Sequence, residues 1–230
     1  MPKTILVIDD DPHLRFILQV NLEAAGHQVY LAEDGLEGLV VAREQQPDLV
    51  VLDVMMPRLG GFTVCRSLRE EPGYPDCSIL MLTARGEIEA KGEGFAAGAD
   101  DYLAKPFDPR EVVWRAEALL RRVRRPHLAT PPLTCGGLTL YPDSLTVTTP
   151  TRQVALTSTE FVVLQALAES GGHVVPVDTL ARRIWGEASD EAAASLRVHV
   201  NRIRQRLEDQ PATPSFLRTV RGRGYVLDPG

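Results

Sequence analysis

Cysteine is scarce in this chain. Three in 230 residues, Cys65, Cys77 and Cys135, with no C-x-x-C pair, exclude a disulfide scaffold and fit a reducing compartment. Long apolar runs are missing as well, since nothing approaches the roughly 18 residues that a membrane-spanning helix needs. The start, Met1-Pro-Lys-Thr and then Ile5-Leu-Val-Ile8, lacks the longer apolar region of a secretory leader. The five histidines form no group with metal-ligand spacing, and His13, His27, His127 and His173 read as surface or turn residues. The expectation is a soluble, cytoplasmic protein with no membrane partner.

What is present is ordinary globular composition. At 44% hydrophobic and 24% charged residues the chain is neither disordered nor of low complexity, and its length suits one large domain or two ordinary ones. A net charge of -6 would argue against a nucleic-acid partner if it were spread evenly. Residues 1–129 hold 15 Lys+Arg and 21 Asp+Glu, whereas residues 130–230 hold ten of each. Between Ser195 and Leu227 seven arginines face only Glu208 and Asp209, so the average conceals a basic end.

Along the first half, β-rich apolar runs (Thr4–Ile8, Gln28–Leu31, Leu49–Leu52, Ser78–Leu82, Tyr102–Leu103) alternate with helical patterns near 12–25, 35–45, 60–70, 87–97 and 109–122. Five such units predict a doubly wound α/β domain with a five-stranded parallel sheet. An arginine cluster (Arg121, Arg122, Arg124, Arg125) and then Pro126, Pro131 and Pro132 mark a linker. The expected division is 1–123, a linker at 124–134, and 135–230. In the last part, short alternating runs over Gly137–Leu156 suggest a small antiparallel sheet. The capping-box pattern Thr157-Ser-Thr-Glu160 opens a helix that Gly171-Gly172 closes, and further helices follow over about 177–185 and 191–208. Two strand-like runs around Arg221-Gly-Arg-Gly224 end the chain.

Ligands of a doubly wound sheet bind at the carboxyl ends of its strands. There the sequence places Asp9-Asp10, Asp53, Thr83 and Lys105-Pro106, and the strand order 2-1-3-4-5 would bring them together. Carboxylates so gathered repel unless a cation joins them, and oxygen-only ligands favour Mg²⁺. Asp53 could then act as a nucleophile toward a phosphoryl group, with Lys105 and Thr83 neutralising its oxygens. Asp11, followed by Pro12, reads instead as a helix cap.

The runs Leu6-Val-Ile-Asp-Asp10, Leu52-Asp-Val-Met-Met-Pro57, Leu82-Thr-Ala84 and Gly98-Ala-Asp-Asp-Tyr-Leu-Ala-Lys-Pro-Phe107 resemble the receiver domain of a bacterial two-component response regulator. The resemblance implies that Asp53 accepts phosphate from a cognate sensor histidine kinase, that Asp9, Asp10, Asp53 and the Met55 carbonyl bind Mg²⁺, and that Lys105 contacts the phosphoryl group. It implies a cis Lys105-Pro106 bond, and a switch in which Thr83 moves toward the phosphoryl group and Tyr102 turns into the space it leaves. It further implies a homodimer formed on phosphorylation through the predicted fourth helix, fifth strand and fifth helix. There Lys91 would pair with Glu111 and Asp101 with Arg115, around Phe95 and Val113. Gly92 and Gly94 lower the propensity of that fourth helix, and Glu117 stands where a basic residue is common, so dimerisation without phosphate is expected to be weak.

In the basic part, Leu196, Val200, Ile203 and Leu207 make one stripe of a helix, and the remaining arc is expected to present Arg197, His199, Asn201, Arg202, Arg204 and Arg206 to a major groove. With the hairpin Arg218-Thr-Val-Arg-Gly-Arg-Gly-Tyr225, Leu156-Thr-Ser-Thr-Glu-Phe161 and Ile184-Trp-Gly186, this part resembles the winged helix-turn-helix domain of the OmpR/PhoB family. That likeness implies contacts to promoter double-stranded DNA from Arg197, His199, Asn201, Arg202, Arg204, Thr219, Arg221 and Arg223. It implies contact with RNA polymerase from the loop Gly186–Ala193. Arg197 replaces an acid common in the family, and Ala194 stands where an arginine can occur, which points to a distinct operator. Trp185 reads as core. Two alternatives stand beside a phosphorylation-gated transcription factor. An aspartate-dependent phosphatase or phosphotransferase would need a general acid two residues after Asp53, where Met55 stands. A constitutive DNA binder would have no use for the acidic pocket. The chain is therefore read as a switch and not as a substrate-turning enzyme.

Overall fold

Short runs of Ile, Leu and Val that are apolar at consecutive positions, with no polar alternation, are what a sheet covered on both faces requires. In the computed structural model, which describes residues 2–70, 77–84, 98–122, 131–186, 188–208, 210–212 and 214–228, they form that sheet. Strands β1 (Thr4–Ile8), β2 (Gln28–Ala32), β3 (Leu49–Asp53), β4 (Ser78–Ala84) and β5 (Asp101–Lys105) are all parallel, in the order 2-1-3-4-5. Helices α1 (Pro12–Ala24), α2 (Gly35–Gln45), α3 (Gly61–Glu70) and α4 (Pro109–Arg122) are the helices of this unit among its described residues, and the unit spans residues 1–123. The helix expected over 87–97 lies outside the described residues.

Side chains alternate across the sheet, so one strand feeds two cores. Leu6, Ile8, Val50, Leu52, Ile79 and Met81 pack with α2 and α3, while Ile5, Val7, Leu49, Val51, Leu80 and Leu82 pack with α1 and α4. Helix α1 starts where Asp11 accepts the backbone N–H of His13 at 2.8 Å and Pro12 occupies the first turn, the capping role expected of Asp11. Cys65, Cys77 and Cys135 are buried, and none of them is joined in a disulfide.

The second unit, residues 124–230, holds two sheets and three helices among its described residues. Strands β6 (Leu133–Cys135), β7 (Leu138–Tyr141), β8 (Thr146–Thr148) and β9 (Gln153–Ala155) form an antiparallel meander. Strand β6 starts at Leu133, so residues 133 and 134 belong to the sheet and not to the expected linker. The prolines at 131 and 132 precede the strand, where a missing N–H costs no ladder bond. Helix α5 (Ser158–Ala168) opens on the expected capping box, with both Thr157 and Glu160 contributing. Strand β10 (Val175–Pro176) leads into α6 (Val177–Trp185), which ends on a left-handed Gly186, and α7 (Asp190–Leu207) follows from an N-cap at Ser189. Strands β11 (Leu217–Val220) and β12 (Gly224–Leu227) close the chain as a hairpin, with β12 between β10 and β11. Gly224 is required at that join, because a side chain on it would strike the Val175 carbonyl of the paired strand.

Candidate functional site

The carboxyl ends of β1, β3 and β5 bring Asp9, Asp10, Asp53 and Lys105 into one pocket. Asp9 is fully buried, Asp53 is 5% exposed and Asp10 is exposed, with one carboxylate oxygen from each lying within 4.8 Å of the others. Lys105 Nζ sits 3.0 Å from Asp9 Oδ2 and 2.9 Å from Asp53 Oδ1. The Asp53 pKa is raised, first by burial and then by the nearby charge of Asp9, which together outweigh the hydrogen bond from Lys105. Burial alone would lower the Lys105 pKa, but its bonds and attraction to Asp53 and Asp9 carry it above the ordinary value. The pocket is therefore a group of three carboxylates, two of them, Asp9 and Asp53, partly neutralised by one shared ammonium.

Two supports of this pocket have no counterpart among the residues expected from sequence. Arg15 on α1 donates from Nη1 to the Asp9 carbonyl at 2.7 Å, and the Asp11 N–H donates to Asp9 Oδ1 at 2.9 Å, so the Asp9 backbone and side chain are both held. Gly61 opens α3 directly against the chain at Asp53: its N–H reaches the Val54 carbonyl at 3.0 Å, and a Cβ there would collide with the Asp53 carbonyl. The doublet Gly60-Gly61 was the available signal. Thr83 is 2% exposed, and Tyr102 is 4% exposed within the α2/α3 core. Met81 lies opposite Tyr102 and Thr83 opposite Ala104, so pleating puts Thr83 and Tyr102 on the same sheet face. The Lys105-Pro106 bond is cis.

On α7 the expected stripe Leu196, Val200, Ile203 and Leu207 is buried, but the outward arc is narrower than expected. Arg197 and Asn201 are exposed and Arg204 is half-buried. His199 is fully buried and Arg202 is 6% exposed, which corrects their expected place on the arc. His199 lies three residues beyond Leu196 and four before Ile203, so it continues the buried stripe and meets Trp185, with ring centroids 6.1 Å apart. Arg206 also turns away, donating to the Ala155 carbonyl at 3.0 Å beside the buried Glu160 carboxylate. In the hairpin, Thr219, Arg221 and Arg223 are exposed, with Gly222 at φ 69° making the tip. A cleft of about 480 Å³ is lined by Arg197 of α7, by Thr219, Arg223 and Tyr225 of the hairpin, and by Asp178 of α6.

Residues 5–117 match the family described as response regulator receiver domain, and residues 151–227 match the C-terminal domain of transcriptional regulatory proteins. The chain is 43% identical over 231 residues to the DNA-binding dual master transcriptional regulator RpaA of a Synechocystis strain, covering 99% of this chain and 95% of that protein. It is a member of the OmpR/PhoB family of response regulators. Response regulator MprA of a Mycobacterium strain is 42% identical over 99% of this chain and 98% of its own. Among solved structures, response regulator DrrB, an OmpR/PhoB homologue of Thermotoga maritima, is 29% identical, with a TM-score of 0.53 over 99% of this chain and 100% of that one.

Two regions that the family likeness singles out take a definite geometry in the regulator. Asp101 and Arg115, expected as a pair on a dimer face, pair at 2.9 Å within the one chain, with side-chain exposures of 0% and 5%. Arg115 also binds Glu111 at 2.9 Å, because a buried guanidinium must be matched by acceptors on several sides. Val113 is half-buried, and Lys91 and Phe95 lie outside the described residues. The loop expected over Gly186–Ala193 shortens to Gly186–Ser189, since Asp190–Ala193 already belong to α7. Asp190 is exposed there. Among the described residues no helix is long and apolar enough to cross a membrane.

Proposed function

We propose that this regulator is switched by transfer of a phosphoryl group from a histidine of a sensor kinase to the Asp53 carboxylate. The observation that carries the reading is the Lys105 ammonium held between Asp9 and Asp53, at 3.0 and 2.9 Å. An Asp53 oxygen attacks phosphorus, and the kinase's N–P bond breaks. Its electron pair returns to the imidazole, which takes a proton from water. Lys105 offsets charge on the phosphoryl oxygens, and the Thr83 hydroxyl donates to one of them, freeing space toward Tyr102. Three carboxylates with oxygens within 4.8 Å, together with the Met55 carbonyl, suit a hard divalent cation, and Mg²⁺ held there would supply further charge neutralisation. Met55 offers no proton two residues beyond Asp53, so the phosphoryl group persists and the chain serves as a cytoplasmic switch and not as a turnover enzyme.

Phosphorylation then favours a homodimer through the face that carries Asp101, Glu111, Val113, Arg115, Lys91 and Phe95. Arg115 must share or exchange its intrachain acids in that dimer. Promoter DNA takes α7 in its major groove, where Arg197 and Asn201 reach base edges or phosphates, and Thr219, Arg221 and Arg223 lie along the backbone. The segment after Gly186 faces RNA polymerase. Incubation with a small phosphodonor and Mg²⁺ tests the reading. One phosphoryl group should add to the intact mass and tighten binding to selected DNA, and both effects should vanish in Asp53→Asn. A mass gain that persists in Asp53→Asn would overturn it.

A further inference from the structure

We infer that Glu208 is the positioning residue that sets the hairpin against α7, making helix and wing a single DNA-reading unit. This rests on the DNA-binding reading above. Glu208 caps the C-terminus of α7, and its own N–H reaches the Arg204 carbonyl at 2.8 Å. Its side chain turns inward and is 3% exposed as a residue. Protein donors take the place of water around the carboxylate: Oε2 accepts from Ser215 N at 2.8 Å and Ser215 Oγ at 2.9 Å, and Oε1 accepts from Phe216 N at 2.9 Å and Leu217 N at 3.0 Å. Four donors on one buried carboxylate use nearly all of its acceptor capacity.

These donors belong to the segment that enters β11, so the carboxylate fixes the register at which the hairpin leaves the helix. A second bridge lies one turn back. Arg204 donates from Nε to the Leu217 carbonyl at 2.9 Å and from Nη2 to Thr219 Oγ1 at 2.8 Å. Leu217 is thus held by both its N–H and its carbonyl, from Glu208 and Arg204 respectively. Arg152 adds a third tie, from Nη2 to the Glu208 carbonyl at 3.1 Å. Glu208 does not face the cleft between helix and wing; it acts through the strand that carries Thr219 and the turn that carries Arg221 and Arg223.

Glutamine is the discriminating substitution. Its amide NH₂ would face two donors where an oxygen now accepts both, so one pair of donors is left unmatched while volume is kept. The experiment uses the full-length regulator on a duplex obtained by in vitro selection, with backbone footprinting and affinities for Arg223→Ala in each background. Glu208→Gln is expected to weaken binding about tenfold and to lose the wing's backbone protection while that of α7 remains. Arg223→Ala, costly in the wild type, should then cost nothing further. An equal cost of Arg223→Ala in both backgrounds overturns the inference. If Glu208→Gln melts well below the wild type, Ser215→Ala, which removes one hydroxyl donor and keeps the carboxylate, carries the same coupling test with a smaller effect. A wild-type chain that protects no selected duplex overturns the DNA-binding reading itself, and this inference with it.

Discussion

His199 packs its imidazole against the Trp185 indole, with ring centroids 6.1 Å apart and planes tilted by 35°, on the side of α7 turned away from solvent. The contact joins the last residue of α6 to the middle of α7, and so fixes the angle at which α7 presents its outer face. His199 thus supports α7 from its buried side.

That placement separates two neighbours on one helix. His199→Ala should destabilise the second unit by about 2–5 kcal/mol, the range for emptying a buried site, and any loss of DNA binding should track the unfolded fraction. Asn201→Ala, on the exposed arc, should leave stability within about 0.5 kcal/mol while lowering discrimination at one base by about 1–3 kcal/mol. Denaturant melts beside binding curves measure both. A fully stable His199→Ala would refute the burial argument.

Asp53 and Lys105 make opposite predictions about charge. Because burial raises the Asp53 pKa, the folded chain holds that proton more tightly than the unfolded one, and stability falls as pH rises from the unfolded value through the folded one. Asp53→Asn removes this loss and should raise the melting temperature of the first unit at neutral pH. Lys105→Met leaves Asp9 and Asp53 facing each other without their shared cation, and should lower it. Calorimetry at neutral pH checks both signs.

His27 supplies a pH dependence of the other sign. Both of its ring nitrogens are buried with no hydrogen-bond partner among the described residues, and burial lowers its pKa, with Lys3 adding to the shift against the pull of Glu117 and Asp48. The unfolded chain therefore binds the proton more readily. Stability should be full above about pH 6.5 and decline below it, levelling only beneath the lower folded-state pKa. Denaturant midpoints across this range should show the decline, and His27→Gln should flatten it.

The acidic pocket was legible because its carboxylates end runs of Ile, Leu and Val and its lysine ends the fifth strand, positions with few structural uses. Tyr102 was singled out only through the family likeness, since an aromatic on an edge strand fits a half-buried role as well as the nearly complete burial it has. His199 and Arg202 were misplaced for a related reason. A helical stripe is read from apolar residue types, so a polar side chain buried with its partners is counted on the solvent side. The Asp101–Arg115 pair was named through the family likeness, but its burial was not foreseen, because each charge alone reads as solvated. Glu208 and Arg204 owe their roles to hydrogen bonds spanning seven to fifteen residues, a spacing with no sequence signature.

Salt dependence offers the last discrimination, among arginines that composition alone cannot separate. An arginine that neutralises one phosphate contributes about 0.9 to the slope of log affinity against log salt. Arg197→Ala and Arg223→Ala, which remove one arginine from the helix and one from the hairpin lining the cleft, should each lower the slope by about that amount. Arg206→Ala should leave it unchanged, although Arg206 is exposed on the same helix, because its guanidinium is engaged by the Ala155 carbonyl and Glu160. Titrations of one selected duplex at several salt concentrations measure all three. If Arg206→Ala shifts the slope as much as Arg197→Ala, net charge governs binding and the geometry of the arc does not.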